Sequence, residues 1–257
     1  MDIRKVPWMV TVTALWLRPL IHLLTKHKWY DVEKIPASGG FVIAPNHISW
    51  VDPFTFAVFQ YDNNICPRFL GKAVLFDLPI GGWILKKAEQ IPVYRSTDKS
   101  HEAFEAAVAA VNKGNPVCVY PESTITRDPD LWPMRGKTGA VRIALETGCP
   151  LIPAAQWGPQ EIWWPYSKKI RFFPRKTCIV KVGDPVDLSD FAGKEMTTEV
   201  LDAATELLMD AITELLTDIR QERPTGPRLD SRAIVAAEAE EKEAKRAAKR
   251  KPKGKTA

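Results

Sequence analysis

The sequence predicts an α/β layered domain whose central sheet, mostly parallel or mixed, is flanked by helices. Two observations lead to this prediction. Short apolar runs of strand length alternate along the chain with longer stretches whose apolar residues recur at helical spacing. Glycine follows several of the helical stretches, as at Gly114 and Gly148, where it would end them. Strands that alternate with helices indicate one sheet with helices packed on it.

The predicted elements follow the chain in a simple order. Strands are expected at residues 40–45, 68–76 (with a turn), 90–94, 116–120, 151–155 and 177–182. Helices are expected from residue 52 to about 59, just after residues 78–82, and at 100–113, 137–147 and 197–220. Asp52 followed by Pro53 is typical of a helix start, with the aspartate as N-cap. The last helix carries its leucines on one face, which is expected to meet the core.

Composition places few limits on function but excludes some classes. The chain has 257 residues, of which 45% are hydrophobic, and this suits one globular domain with additions. Its four cysteines are scattered without a Cys-x-x-Cys pair, so neither a disulfide framework nor a zinc site is indicated. Cys118 and Cys178 lie in apolar runs and are expected to be buried free thiols. A reducing, cytosolic setting fits this pattern.

The positive charge is concentrated at the C-terminus. Seven basic residues and no acid lie between Lys245 and Lys255, and subtracting them from the net charge of +5 leaves −2 for the rest. The body of the chain therefore gives no argument for nucleic-acid binding. The tail, 224–257, is expected to be flexible and rich in alanine, glutamate and lysine. Binding of anionic lipid or, less favourably, of RNA remains open for it.

The N-terminal segment, 1–28, is expected to be helical and associated with a membrane. Residues 6–25 are rich in Trp, Leu and Val, but Arg18 and Pro19 interrupt them, leaving too short an apolar run to cross a bilayer. We expect an interfacial or re-entrant helix with Trp8 and Trp16 at headgroup depth and with Lys5 and Arg18 near phosphates. The alternative is a soluble amphipathic helix packed on the α/β domain, which is predicted to span 29–223.

One of the four histidines stands where chemistry is expected. His47 follows a predicted strand, in the kind of loop where α/β proteins build their sites, and Asp52 comes five residues later. Histidine suits a general base near neutral pH, and a carboxylate on its second ring nitrogen would fix its tautomer. The alternative from spacing alone is that Asp52 only caps the helix and that His47 is an ordinary loop residue.

Several further segments resemble the glycerolipid acyltransferase family, whose best-known members are the 1-acyl-sn-glycerol-3-phosphate acyltransferases. Asn46-His-Ile-Ser-Trp-Val-Asp52 is similar to the family's His-x-x-x-x-Asp signature. The other family elements follow in order between about Trp29 and Pro185: Lys72 before the second block, Ile91-Pro-Val-Tyr-Arg95 as that block, Tyr120-Pro-Glu-Ser-Thr124 as the third, Arg135-Gly-Lys-Thr-Gly139 downstream, and Cys149-Pro-Leu-Ile-Pro153 as the fourth. One His-x4-Asp is a weak signal, but four ordered blocks are a strong one.

Three positions depart from the family pattern. The glycine usual near Glu89 is missing, Ser123 replaces a glycine, and Ile125 replaces the arginine that helps to hold the acceptor's phosphate. Ser123 is expected to tighten a turn that glycine would relax. Arg95 would then need help from another cation, and the identity of the acceptor is affected more than the reaction.

The resemblance implies an enzyme that transfers an acyl group from acyl-CoA or acyl carrier protein to the free hydroxyl of 1-acyl-sn-glycerol-3-phosphate, giving phosphatidic acid. His47 would be the base and Asp52 its partner. The expected substrate-binding residues are Arg95, Glu122, Ser123, Thr124 and Lys137, with Lys72, Arg127 and Arg135 as additional phosphate ligands. No metal or cofactor is needed. The enzyme would work at the cytoplasmic face of the cell membrane as a peripheral or monotopic protein.

Other interpretations stay open at this point. The acceptor could be another lysophospholipid or a glycolipid, since Ile125 replaces the arginine. A lipase or thioesterase is disfavoured, because Ser123 lacks a Gly-x-Ser-x-Gly setting and Cys118 lacks a basic neighbour. A non-catalytic membrane-binding protein is a further alternative. Glu122 could be a structural carboxylate, and Trp157, Trp163 and Trp164 could line an acyl groove or belong to the core.

Overall fold

The structure is a computed structural model, which describes residues 6–94, 97–231, 233 and 234. Its helices are α1 (Trp8–Leu24), α2 (Asp52–Asp62), α3 (Gly81–Lys87), α4 (Thr97–Asn112), α5 (Gly139–Thr147), α6 (Pro159–Ile162) and α7 (Thr198–Arg220). Its strands are β1 (Thr25–Tyr30), β2 (Val42–Pro45), β3 (Leu70–Lys72), β4 (Ile91–Val93), β5 (Val117–Cys118), β6 (Leu151–Trp157) and β7 (Lys176–Val182).

Five strands form a mixed central sheet in the order β1-β7-β6-β2-β5. Strands β5, β2 and β6 run parallel, whereas β7 is antiparallel to β6 and β1 is parallel to β7. The carboxyl ends of β5, β2 and β6 therefore lie at the same edge of the sheet as the amino ends of β7 and β1. We call this the site edge. The predicted α/β class with a mostly parallel or mixed sheet is confirmed.

Successive strand residues point to opposite faces of the sheet, and helices cover both faces. Val42 and Ala44 of β2 pack into a core formed with α4, α5 and α7, where Leu208 and Ile212 are fully buried. Ile43 points the other way and packs with Phe56 and Phe59 of α2. Helix α1 lies outside, against α2 and α3. The apolar face of α7 thus meets the core, as its sequence pattern predicts.

The structure differs from the prediction at two strands. Residues 68–76 contain only the three-residue strand β3, which is followed by a 3-10 turn at Ala73–Asp77 and pairs with β4 in a separate two-stranded sheet. Strand β1 was not predicted, because its sequence, Thr-Lys-His-Lys-Trp-Tyr, alternates with exposed lysines and lacks an apolar run. The boundary predicted after residue 28 falls within β1, which belongs to the central sheet.

The predicted N-terminal helix is present as α1, and its most exposed side chains are apolar. Trp16 is 78% exposed, Leu15 and Leu23 are each 67% exposed, and Trp8 is 56% exposed. Arg18, expected near lipid phosphates, forms an ion pair with Asp62 of α2. Within the described residues no helix is long and apolar enough to cross a membrane.

Lys5 and most of the predicted tail lie outside the described residues. The described beginning of the tail packs against α7, where Arg228 forms ion pairs with Glu206 and Asp210. The thiols of Cys118 and Cys178 are buried and free, as predicted.

Candidate active site

The loops that leave β2, β5 and β6 bring the candidate residues together at the site edge. His47 lies two residues beyond the end of β2, and Glu122 lies four residues beyond β5. Sites in sheets with parallel strands are usually built at such carboxyl ends. The amide hydrogen of Thr126 donates to the carbonyl oxygen of His47 at 2.7 Å, so these two loops are directly joined.

His47 and Asp52 form a hydrogen-bonded pair. His47 Nδ1 lies 2.8 Å from Asp52 Oδ2. The carboxylate can only accept, so Nδ1 carries the proton and Nε2 keeps its lone pair. The His47 side chain is 15% exposed and that of Asp52 is fully buried. Asp52 is therefore shielded from water, while part of the His47 side chain stays accessible, as a general base needs in order to meet its substrate.

Asp52 does not cap its own helix. No side-chain cap bond is made at the start of α2, where Val51 is the N-cap residue. Instead, Asp52 Oδ2 accepts from the amide hydrogens of Ile48 and Ser49 at 2.6 and 2.8 Å. Burial raises the pKa of Asp52, and its bonds with His47, Ser49 and Ile48 act in the opposite direction. The carboxylate thus folds the 46–51 loop around itself and holds His47.

Glu122 holds His47 from the other side. Its Oε1 accepts from the amide hydrogen of His47 at 2.9 Å, and its Oε2 accepts from that of Met134 at 3.0 Å. The side chain is fully buried, and this burial raises its pKa to about 8. Glu122 therefore acts on the backbone of two loops, and no basic side chain pairs with it among the described residues.

Sequence reasoning missed the residues that complete this support. Asn46 and Gln156 are buried and exchange three hydrogen bonds of 2.7 to 3.2 Å, which join the ends of β2 and β6. The His47 ring stacks on Tyr120, with centroids 4.4 Å apart. In the sequence, only the position of Asn46 next to His47 indicated that it could belong to the site. Within the described ranges, no three histidine, cysteine or acidic side chains converge as a metal site.

The predicted phosphate ligands are dispersed. Arg95 lies outside the described residues. Arg127 is half-buried, with its guanidinium 4.9 Å from the centre of the Tyr166 ring. The amide of Lys137 donates to the carbonyl of Pro121, beside Glu122, and its side chain is exposed. Arg135 faces Glu206 of α7 at 3.9 Å, and exposed Lys72 ends β3.

The three departures from the family pattern have visible consequences. Ser123 and Glu89, at or near the positions where the family uses glycine, have φ angles of 57° and 53°, which glycine adopts more readily. Ile125 is buried in the core at 2% exposure. Thr124, between them, is half-buried. The aliphatic side chain at position 125 therefore offers no cation to a phosphate.

The three tryptophans proposed for an acyl groove have different surroundings. Trp157 packs in a core cluster with Trp132, and the Arg220 guanidinium lies 4.5 Å from its ring centre. Trp163 lies next to Trp50, whose ring centre is 6.4 Å away. Trp164 is 52% exposed. Trp157 is thus a core residue, and the other two lie in a surface loop near His47.

Comparison with known proteins gives a consistent result. A family model described as Acyltransferase matches residues 26–157. The 1-acyl-sn-glycerol-3-phosphate acyltransferase of Bacillus subtilis is 33% identical over 192 residues, which are 75% of this chain and 89% of that protein. The lyso-ornithine lipid O-acyltransferase of Pseudomonas aeruginosa is 29% identical over 111 residues, covering 43% of this chain and 40% of that protein.

A solved structure supports the fold. The 1-acyl-sn-glycerophosphate (LPA) acyltransferase PlsC from Thermotoga maritima superposes with a TM-score of 0.63 at 19% identity, covering 84% of this chain and 81% of that one. Because the family model matches more than half of the chain and the Bacillus subtilis relative is similar over most of its length, this chain belongs to the acyltransferase family.

Proposed function

We propose that this O-acyltransferase acylates the free hydroxyl of 1-acyl-sn-glycerol-3-phosphate to give phosphatidic acid, with His47 as general base. The observation that carries the proposal is the 2.8 Å contact between His47 Nδ1 and Asp52 Oδ2, which leaves Nε2 as a proton acceptor. Similarity to the Bacillus subtilis 1-acyl-sn-glycerol-3-phosphate acyltransferase supports the substrate.

The proposed reaction needs one direct transfer. His47 Nε2 takes the proton as the acceptor's hydroxyl oxygen attacks the thioester carbonyl carbon. The tetrahedral intermediate then collapses, the carbon–sulfur bond breaks, and the proton passes to the leaving thiolate of coenzyme A or acyl carrier protein. Because a thioester is already activated, no acyl-enzyme is required. Asp52 would stabilise the imidazolium that forms in between.

We assign Glu122 a positioning role rather than contact with the acceptor. Both of its carboxylate oxygens are already occupied by backbone amides, one of them that of His47. Ser123 and Thr124, in the turn that follows, would then lie beside the acceptor, as would Lys137, whose backbone bonds to Pro121. Arg127 lies five residues after Glu122, and the amide of Lys137 bonds to the carbonyl of Pro121, the residue before Glu122. These two cations would assist Arg95 with the phosphate, and Lys72 and Arg135 would contribute less.

The proposed setting is a membrane surface, at the cytoplasmic face of the cell membrane. Exposed Trp8, Leu15, Trp16 and Leu23 on α1 form an apolar surface that water solvates poorly and that lipid would cover. This supports a peripheral or monotopic enzyme that takes its lipid acceptor from the bilayer. Acyl-CoA and acyl carrier protein both remain as donors.

A second acceptor class is favoured by one observation. Ile125 is buried where the family carries a phosphate-binding arginine. The similarity to a lyso-ornithine lipid O-acyltransferase is consistent with an acceptor whose head group lacks that phosphate. The alternative proposal is therefore the same chemistry on another lysolipid.

The test is transfer of a labelled acyl group from acyl-CoA to 1-acyl-sn-glycerol-3-phosphate in detergent, with His47→Ala as control. Phosphatidic acid made by the wild type alone would support the proposal. Transfer that requires His47 but occurs only to another lysolipid would favour the alternative. Without His47-dependent transfer to any acceptor from either donor, the chain would be a non-catalytic lipid-binding protein.

A further inference from the structure

A second surface at the site edge has the composition of a lipid contact. The loop between α6 and β7, residues 163–175, is here called the basic aromatic loop. It contains no acidic residue, and its exposed side chains are Trp164, Tyr166, Lys168, Lys169, Ile170, Arg171, Phe172, Phe173, Pro174 and Arg175. Phe173 is 75% exposed. Cations and large apolar groups are interspersed along the loop, and this surface was not predicted from the sequence.

Three cations of this loop, Lys168, Lys169 and Arg171, are available to a ligand. In the described part of the chain, no carboxylate lies within ion-pair distance of Lys168, Lys169 or Arg171. A cavity of about 410 Å³ opens between the loop and α6. Its lining includes Lys169, Arg171 and Lys176 against the single acid Glu161. This excess of positive charge suits a phosphate-bearing head group.

The loop is continuous with the two regions already described. Arg175 Nη2 donates to the carbonyl oxygens of His22 and Thr25 at 2.6 and 2.7 Å, which ties the loop to the end of α1. Ser49 Oγ donates to the carbonyl of Trp163 at 2.7 Å. The basic aromatic loop therefore bridges the C-terminal end of α1 and the loop that carries His47.

We propose that the basic aromatic loop is a second membrane contact, which binds anionic phospholipid head groups. Its aromatic side chains would sit at headgroup depth while Lys169 and Arg171 meet phosphates. With α1, it would hold the loop that carries His47 against the lipid surface. The inference rests on the proposed function at a membrane. An acidic protein would not need the exposed Phe172 and Phe173, and for that reason we favour a bilayer.

The test is vesicle binding of the full chain. The variant K169Q/R171Q removes two loop cations and leaves Arg175 in place. The control K113Q/K194Q removes two exposed cations near the opposite edge of the sheet. On vesicles that contain phosphatidylglycerol, we expect the loop variant to bind on the order of tenfold to thirtyfold more weakly than wild type. The control should bind like wild type.

Two further readouts separate the possible outcomes. The variant F172S/F173S should bind less well even to vesicles of phosphatidylcholine alone, since it loses apolar contact. Acyl transfer in detergent should be unchanged in every variant, and failure of transfer in the wild type would affect only the proposed function. Unchanged vesicle binding by K169Q/R171Q would overturn the inference. A raised KM for an acyl carrier protein donor, with vesicle binding unchanged, would also overturn it.

Discussion

The loop around His47 and the surface formed by α1 with the basic aromatic loop share one edge of the sheet but differ in their physical construction. Around His47, Asp52 and Glu122 are fully buried and accept hydrogen bonds from backbone amides and an imidazole. On the surface, Trp16 and Phe173 are 78% and 75% exposed. The first region is organised by the fold itself, whereas the second leaves large apolar side chains in water, where we propose that lipid covers them. Substitutions in the first should therefore act in every assay, and those in the second only where lipid is present.

The largest effect should come from Asp52→Asn. The amide cannot accept three hydrogen bonds on one oxygen as the carboxylate does, and it no longer stabilises a protonated His47. We expect kcat to fall roughly 10³- to 10⁴-fold in detergent. Asp62→Asn, at the other end of α2, is the matched control, because Asp62 pairs with Arg18 and His22 and not with His47. A comparable loss of kcat in both variants would mean that α2 has been disturbed as a whole.

Glu122→Gln should reduce both stability and activity, because one of two buried backbone amides loses its acceptor. The expected stability loss is about 1–3 kcal/mol. The loss should also depend on pH. Burial raises the pKa of Glu122 from 4.5 to about 8, so between these values the folded protein binds more protons than the unfolded chain.

Wild-type stability should accordingly fall as pH rises through that window, and the variant lacks this contribution. The difference between wild type and Glu122→Gln should be greatest near pH 4.5 and should narrow toward pH 8. Urea unfolding at a series of pH values measures it. A difference that stays constant with pH would show that Glu122 is ionised throughout.

Trp16→Ser probes the exposed apolar surface of α1. The side chain is exposed, so the free energy of unfolding should barely change. Vesicle binding should weaken by about 1–3 kcal/mol if the ring is buried in lipid. Leu207→Ser on α7, another exposed apolar position, is the control. Flotation with vesicles and acyl transfer in detergent are the two measurements. Equal vesicle binding by both variants and wild type would show that Trp16 of α1 does not contact the membrane.

The smallest effect is expected from Ser123→Gly. Ser123 has a φ angle of 57°, a conformation that costs a non-glycine residue about 1–2 kcal/mol. The glycine's greater freedom in the unfolded chain offsets part of this gain. We expect a net stabilisation of about 0.5 kcal/mol by urea unfolding, while Ser123→Ala should bring none. Equal stability of the two variants would mean that the turn is not strained.

Local pattern alone determined much of this protein. The alternation of apolar runs with helical stretches determined the α/β class, and the long amphipathic helix was predicted to within one residue at its start. His47 and Asp52 are separated only by the loop between β2 and α2, so their spacing in the sequence is enough to suggest that they pair. Such features depend on neighbours a few residues apart, whose side chains meet through the helix and strand periods themselves.

Tertiary structure decided what joins distant segments. Glu122 is 75 residues from His47, and its two amide partners follow from the order and direction of the strands. Strand β1, with its exposed lysines, is a strand only because β7 pairs with it. The antiparallel course of β7 brings residues 163–175 beside α1 and His47 at one edge. Strand order and register come from burial summed over the whole chain, and no local window of sequence contains that sum.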